Sequence, residues 1–475
     1  MRFPDHKTRI VATIGPASED PKTLRELVMA GLNVARLNFS HGSEEDHRRL
    51  IQTIRSVSEE TGRRVAILGD LPGPKIRIGD LAEEPIELLR DDTITLTTRN
   101  VQGTAELLSV SFPGLPTAVK PDDRIYINDG FILLKVQEVQ GDDVVCSVRV
   151  GGELRSRKGL NLPGIDLGIS AFTEQDHDWL RFAAANGVDA LSQSFVATAA
   201  DMEAVREAAA ALGYQPFLIA KIERAEALGR LDAILAASDG IMVARGDLGV
   251  EIPIEEIALT QKRIVARANR AGKPVITATQ MLESMVKMRR PTRAEATDVA
   301  NAILDGTDAV MLSEETAAGQ FPVEAVQFLD RVSRVTEEHF PYTAWLRGRA
   351  LSGRQEIPES VSYSACEMAL DLEAAAILTN TEGGGTARLI SRFRPRPLIV
   401  AVTAREDTWR RLCLSWGVFP LLAPPLRDTD QMLQVVEQEA LKAEMLQRGD
   451  RVIITTGTPI GTRGSTNLIK ADVIS

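Results

Sequence analysis

The sequence predicts an α/β protein: a (β/α)8 TIM barrel with an inserted all-β domain and a smaller C-terminal doubly wound α/β domain. Three observations carry this. Eight short apolar runs alternate with segments of helical period, the pattern of parallel strands each joined by a crossover helix. The alternation is interrupted once, after the third run, by residues 72–170, whose alternating β-branched texture reads as sheet. It returns a last time near Glu359, with four strand-like runs that are too few for a second barrel. The expected domains are therefore residues 1–71 with 171–342, residues 72–170, and residues 343–475.

The barrel runs are RIVATIG (9–15), VARLNFS (34–40), VAILGDL (65–71), ALSQSF (190–195), PFLIAKIE (216–223), GIMVARGD (240–247), PVITATQM (274–281) and AVMLSEE (309–315). Helical segments such as 20–31 and 44–62 separate them. In the insert, DTITLTT, RIYINDGFILLKVQEV and DDVVCSVRV read as a meander, with Asp129-Gly130 marking a hairpin. Helical texture resumes at Thr173, where Thr173 and Asp176 form a capping box. In the last region AAILTNT, PLIVAVT, VFPLLAP and RVIITTG are strands, and the closing TNLIKADVIS is expected to add an antiparallel one.

Composition narrows the function classes. A length of 475 residues, against about 100–200 per domain, fits two to four domains. A formal charge of −11 with no basic stripe disfavours nucleic acid, while a local cluster of Arg and Lys can still hold a small anion. Cys146, Cys366 and Cys413 lack any CxxC spacing, which argues against disulfides and a zinc site. No stretch approaches the ~18 apolar residues of a membrane span, and MRFPDHKTRI lacks the apolar run of a secretion signal. The expectation is a cytoplasmic protein without a membrane partner.

A barrel presents its chemistry at the C-terminal ends of its strands, and here those ends are polar: Arg36, Asn38, Asp70, Lys221, Glu223, Asp247, Thr279, Gln280 and Glu315. Strand alternation sends Lys221 and Glu223 to one side and Ile222 to the other. With Asp247 in a Gly-Asp-Leu-Gly turn one strand later, this places an ammonium and two carboxylates together, a combination suited to Mg²⁺ plus substrate oxygens. The plain alternative is a salt bridge that closes the barrel. Arg36 is suited to bidentate phosphate contact or to an ion pair with a barrel carboxylate. His41 alone reads as a solvated loop residue, and Thr279 alone as a capping hydroxyl.

The motifs VATIGPAS, ARLNFSHG, GDLPGPKIRIG, RKGLNLPG, AKIE, IMVARGDLG, KPVITATQMLESM, RPTRAEATDVANAILDGTDAVMLSEET and GTRGSTN resemble, in order and across nearly the whole chain, those of pyruvate kinases. The resemblance implies transfer of the phosphoryl group of phosphoenolpyruvate to ADP, giving pyruvate and ATP, with the insert as a lid and a homotetrameric assembly. It implies Mg²⁺ (or Mn²⁺) on Glu223 and Asp247, and Lys221 and Arg36 on the phosphoryl group. The substrate carboxylate falls to Gly246, Asp247 and Thr279, and the nucleotide to Arg36, Asn38, His41, Arg77 and Lys158. Thr279, through ordered water, is the expected proton donor to the enolate.

Two departures matter. Lys75 stands where many members carry the Glu of a K⁺-binding cluster, here Asn38, Ser40 and Asp70. Its ammonium is expected to substitute for K⁺, as in the lysine-bearing branch this chain resembles, so that K⁺ is not required; the plain alternative is a Lys75 that points to solvent while Asn38, Ser40 and Asp70 still hold a cation. Glu314 replaces a usual Gly, which bears on the local backbone. The segment Thr381, Glu382, Gly383, Gly384, Gly385, Thr386 resembles the family's effector-phosphate loop, and a sugar monophosphate suits it better than a bisphosphate because Glu382 and Gly385 replace cations. It also reads as a plain strand-to-helix turn. Two other functions compete: another Mg²⁺-dependent barrel acting on phosphoenolpyruvate or pyruvate, and a non-catalytic sugar-phosphate sensor.

Overall fold

The computed structural model describes residues 6–165, 167–349, 356–425, 429–458 and 464–474. Residues 1–5 and, from the GTRGSTN motif, Gly461, Thr462 and Arg463 lie outside the described residues.

Eight parallel strands close the barrel: β1 (Arg9–Thr13), β2 (Val34–Asn38), β3 (Ala66–Leu71), β4 (Ala190–Gln193), β5 (Phe217–Ile222), β6 (Gly240–Ala244), β7 (Val275–Ala278) and β8 (Ala309–Leu312). Each pairs with its sequence neighbour, and β1 with β8. The strands read as apolar runs because both faces are buried. Val11, Val34, Leu68, Ile219, Met242, Ile276 and Met311 fill one cluster inside the barrel, and their neighbours Ile10, Ala35, Ile67, Leu218, Ile241, Val275 and Val310 join the layer under the helices. The interior cluster continues into Cys413 and Leu414, so the C-terminal region plugs the N-terminal mouth of the barrel.

Between β3 and β4 the chain builds a sheet from Thr93–Thr97, Leu107–Ser109, Arg124–Ile127, Ile132–Gln140, Asp143–Val150 and Leu160–Asn161, over a hydrophobic core of its own. The hairpin falls where Asp129-Gly130 predicts it, with Asn128, Asp129 and Gly130 all left-handed. The topology is not a plain meander, because Thr93–Thr97 and Leu107–Ser109 pair in parallel. The Thr173 capping box is present, and it has a second use. The Asp176 carboxylate that accepts Thr173 N–H at 2.8 Å also accepts Gly73 N–H at 3.1 Å, so one buried side chain clasps both connections to the insert.

The C-terminal sheet runs β11-β10-β9-β12-β13, from β9 (Ala376–Asn380), β10 (Leu398–Thr403), β11 (Val418–Leu422), β12 (Arg451–Gly457) and β13 (Thr466–Val473). As expected, β13 is antiparallel and the others are parallel. Strand order reverses at β9, which opens a crevice between the carboxyl ends of β9 and β12.

This unit is fastened to the barrel by Arg394, whose side chain is 1% exposed. Its guanidinium meets both oxygens of Asp308, at 3.0 and 3.1 Å, and donates to the Gly306 carbonyl at 2.6 Å and to Asn269 Oδ1 at 3.1 Å. Removing one partner of a buried pair costs about 3–5 kcal/mol, because the other charge stays buried. Arg394→Met is therefore expected to lower the calorimetric melting midpoint and to let the C-terminal unit melt ahead of the barrel. An unchanged thermogram would show that the fastening lies elsewhere.

Candidate active site

The end of β3 delivers Asp70 to the centre of the barrel mouth, almost wholly buried. One carboxylate oxygen accepts from the Ser192 hydroxyl at 2.6 Å. The other accepts from Arg36 of β2, through Nε at 3.1 Å and through Nη2, and from Lys221 of β5 at 3.4 Å. Arg36 Nη1 donates to Thr13 Oγ1 at 2.8 Å. Lys221 donates to Ser194 Oγ at 2.7 Å and meets Glu223 Oε1 at 2.9 Å, while Glu223 Oε2 accepts the Phe195 N–H at 2.7 Å. Ile222 packs outward, as alternation requires. Polar groups from β1 to β5 thus form one connected network.

Burial pushes the Asp70 carboxyl up, but Lys221 and Arg36 overcome it and hold the group at about 2. Burial works against the Lys221 ammonium too, and Asp70 and Glu223 outweigh it, so its pKa is raised and it stays charged. Glu223 is pushed up by burial and by Asp247, with Lys221 opposing. Two cations therefore face three carboxylates, and the unbalanced negative charge lies between Glu223 and Asp247. That is the environment a divalent cation relieves. Among the described residues no group of three or more His, Cys, Asp or Glu could form a protein-only metal cage. Two carboxylates leaving positions for water and substrate oxygens suit Mg²⁺.

Asp247 corrects one expectation. It is not in a strand-end turn, because β6 stops at Ala244 and Arg245–Glu251 is a short helix with Asp247 in its first turn. Gly246 is required there, since a Cβ would lie 2.9 Å from Thr279 Cγ2. Past β7 the backbone turns left-handed at Thr279 (φ 72°) and Gln280 (φ 55°), an unusual conformation for a β-branched residue. Arg245 holds it in place. Its guanidinium donates to the Thr279 carbonyl at 2.7 Å and the Ala278 carbonyl at 3.2 Å, and is anchored by Asp298 at 2.6 Å. Neither Arg245 nor Asp298 was singled out by sequence reasoning. The one signal was that both lie inside the long family-like motifs. The Thr279 hydroxyl caps no helix and makes no hydrogen bond among the described residues.

Asn38 and Ser40 form a turn, with Asn38 Oδ1 accepting the Ser40 N–H at 3.2 Å, and His41 is exposed. Arg77 donates to the Arg157 carbonyl at 3.0 Å and so sits on the insert, beside Lys158. The neighbouring cation Arg157 is committed to Asp80 at 2.7 Å, and no side-chain partner is formed by Lys158 among the described residues. Lys75 departs from expectation. Its side chain is exposed, forms no ion pair among the described residues, and lies toward Gly159, whose added Cβ would stand 3.4 Å from Lys75 Cε. Asp70 is instead saturated by Arg36 and Lys221. The structure therefore does not bring Lys75 into the cluster of Asn38, Ser40 and Asp70. Glu314 lies in the helix Glu314–Ala317 without a left-handed backbone, and buried Glu315 accepts the Leu282 N–H at 3.0 Å.

Comparison with known proteins decides the family. The model of the pyruvate kinase barrel domain matches residues 5–326, and that of the pyruvate kinase alpha/beta domain matches residues 359–471. A pyruvate kinase of Geobacillus stearothermophilus is 47% identical over 474 residues, covering 99% of this chain and 80% of that protein. One from Thermococcus litoralis is 44% identical with 99% of both chains covered, and pyruvate kinase 2 of Synechocystis is 46% identical over 98% of this chain and 79% of its own. The chain belongs to the pyruvate kinase family.

As a pyruvate kinase family member it is a kinase, and the polar strand-end groups Arg36, Asp70, Lys221 and Glu223 converge at the barrel mouth. The loop 381–386 lies apart from them, in a cavity of about 460 Å³ at the β9/β12 crevice. Gly384 is left-handed, Thr386 Oγ1 meets Thr466 Oγ1 at 2.5 Å, and Arg405 stands 3.8 Å from Glu382.

A left-handed β-branched residue stores about 1–3 kcal/mol. Thr279→Gly removes that strain, and in urea unfolding the variant is expected to be as stable as the parent or more so. A clear loss of stability would mean that Arg245 does not hold this turn against strain.

Proposed function

We propose that this chain transfers the phosphoryl group of phosphoenolpyruvate to ADP, yielding pyruvate and ATP, and that the Arg36–Asp70–Lys221–Glu223 network is the machinery. The network carries the reading: phosphoryl transfer needs positioning and charge stabilisation more than covalent help, and fixed cations facing a pair of carboxylates supply both. Lys221 is held as an ammonium by Asp70 and Glu223, where it neutralises charge on the phosphoryl group in flight. Arg36 uses three of its N–H donors on Asp70 and Thr13, which leaves guanidinium capacity for phosphate oxygens. Glu223 and Asp247 would hold Mg²⁺ (or Mn²⁺). Bound there, the ion supplies Lewis-acid neutralisation of substrate oxygens. The N–H groups at Gly246 and Asp247, open because Gly246 has no side chain, receive the substrate carboxylate together with Thr279. The unengaged Thr279 hydroxyl would relay a proton, through water, to the enolate carbon.

Arg36, Asn38, His41, Arg77 and Lys158 would bind the nucleotide, with Arg77 and Lys158 brought in as the insert closes as a lid and excludes water. Activity is proposed to be independent of K⁺. Asp70 already carries two internal cations, and Lys75, at the edge of the insert, adds its charge on closure. A sugar monophosphate at the 381–386 loop, a homotetramer and a cytoplasmic location complete the reading.

A lactate dehydrogenase-coupled assay with phosphoenolpyruvate, ADP and Mg²⁺, in buffer free of K⁺ and Na⁺, tests both claims. The parent is expected to turn over fully without K⁺, Lys221→Met to lose on the order of 10³-fold in kcat, as for loss of a transition-state charge partner, and Lys75→Glu to become K⁺-dependent. Strong K⁺ activation of the parent would refute the K⁺ claim. An active Lys221→Met would refute the machinery.

A further inference from the structure

The turn that follows β2 is held from behind by a histidine that the site described above does not use. His47 lies in the first turn of the helix Glu44–Thr61, whose start is fixed by a capping box between Ser43 and Asp46. Its ring is buried in a box of aromatic side chains, with Phe39 at 5.1 Å and Trp179 at 5.4 Å between ring centroids, both edge-on, and Phe182 at 6.4 Å. Phe39 in turn stacks on Trp179 at 4.5 Å and closes on the barrel at Gly69, where an added Cβ would lie 2.6 Å from its ring. Trp179 and Phe182 belong to the helix Glu174–Ala185, which begins at the Thr173 capping box. The rings packed around it hold the imidazole in one orientation.

In that orientation the His47 ring makes a single hydrogen bond among the described residues. Nε2 lies 2.8 Å from the His41 carbonyl oxygen, which can only accept, so Nε2 carries the proton and Nδ1 is the bare nitrogen. Nδ1 is buried with no partner. Burial pushes the pKa of the ring down, against the pull of the His41 carbonyl and Asp46, which keeps it neutral and this tautomer in place. An aliphatic side chain would fill the same box without stranding a nitrogen, so the bond to His41 is what sets a histidine apart here. That bond closes a short chain of restraints. His41 N–H donates to the Asn38 carbonyl at 3.1 Å, Ser40 N–H to Asn38 Oδ1 at 3.2 Å, and Phe39 N–H to the Asp70 carbonyl at 3.2 Å. We infer that His47 is a positioning residue for ADP: through the His41 carbonyl it fixes the turn that presents Asn38 and His41, without touching the nucleotide itself. The inference rests on the proposed assignment of the nucleotide to those two residues.

Isothermal titration calorimetry on the full-length protein, with Mg²⁺ present, measures ADP and phosphoenolpyruvate separately in the parent, His47→Leu and His47→Gln. His47→Leu fills the box but cannot donate to His41, whereas His47→Gln carries an amide N–H that reaches the place of Nε2. ADP affinity is expected to fall about tenfold in His47→Leu, the scale of one lost hydrogen bond, and to return to within about twofold of the parent in His47→Gln. Phosphoenolpyruvate affinity is expected to stay within about twofold of the parent in both variants, a split that a general loosening of the barrel would not give. The inference is overturned if His47→Leu binds ADP as the parent does, if both ligands weaken together, or if His47→Gln is impaired as much as His47→Leu. A parent that binds phosphoenolpyruvate but no ADP would remove the nucleotide assignment and this inference with it. A parent that binds both, matched by His47→Leu, would remove the inference alone.

Discussion

The burial of Asp70 between Arg36 and Lys221 is the constraint around which the barrel mouth is arranged. A carboxylate taken from water is expensive, and each of its two oxygens here has partners from neighbouring strands: Ser192 on one, Arg36 and Lys221 on the other. The arrangement fixes two long cationic side chains that would otherwise sample many rotamers. As a stability device it is poor, since a well-packed apolar core would do as well or better. What it does is pre-orient positive charge next to a carboxylate pair, the arrangement on which the proposed phosphoryl transfer rests. Glu223 links the two halves, because one of its oxygens faces Lys221 and its carboxyl is pushed up by burial and by nearby Asp247, the side on which a cation is proposed.

The backbone around this cluster is held in conformations that side chains rarely adopt. Phe195, Thr279 and Gln280 are all left-handed, and two of them touch the polar cluster: the Phe195 N–H binds Glu223, and Thr279 faces Gly246. Strain of this kind persists only where the surroundings over-determine it. Here Arg245, anchored on Asp298, supplies the restraint for the Thr279 turn. Asp176, which clasps the two connections to the insert, is a comparable device at the base of the insert. The polar groups of the barrel mouth are thus held from outside by residues on helices rather than strands.

Much of this architecture is legible in the sequence because it obeys short-range rules. Period-two and period-3.6 patterning locates all eight strands, and the Thr173 capping box and the Asp129-Gly130 hairpin lie where local chemistry puts them. Strand-end polarity also picks out Arg36, Asp70, Lys221 and Glu223, since the barrel fixes which end faces the site. What escapes is whatever depends on contacts far apart in the chain. Arg245 and Asp298 are 53 residues apart and carry no periodic signature. Asp247 looks like a turn residue beside Gly246 and Gly249, yet tertiary packing continues the chain as a helix. Lys75 is drawn toward Asp70 by proximity in sequence, whereas in space Asp70 has already been claimed by Arg36 and Lys221. The parallel pairing of Thr93–Thr97 with Leu107–Ser109 is equally invisible to a pattern that records only alternation.

The central claim is that the unbalanced negative charge between Glu223 and Asp247 holds one divalent cation beside a fixed Lys221. Electron paramagnetic resonance of Mn²⁺ titrated into the full-length protein measures this without any need for turnover. One tight site per chain is expected, weakened at least tenfold in both Glu223→Gln and Asp247→Asn. Parent-like Mn²⁺ affinity in either variant would place the metal elsewhere and contradict this reading of the barrel mouth.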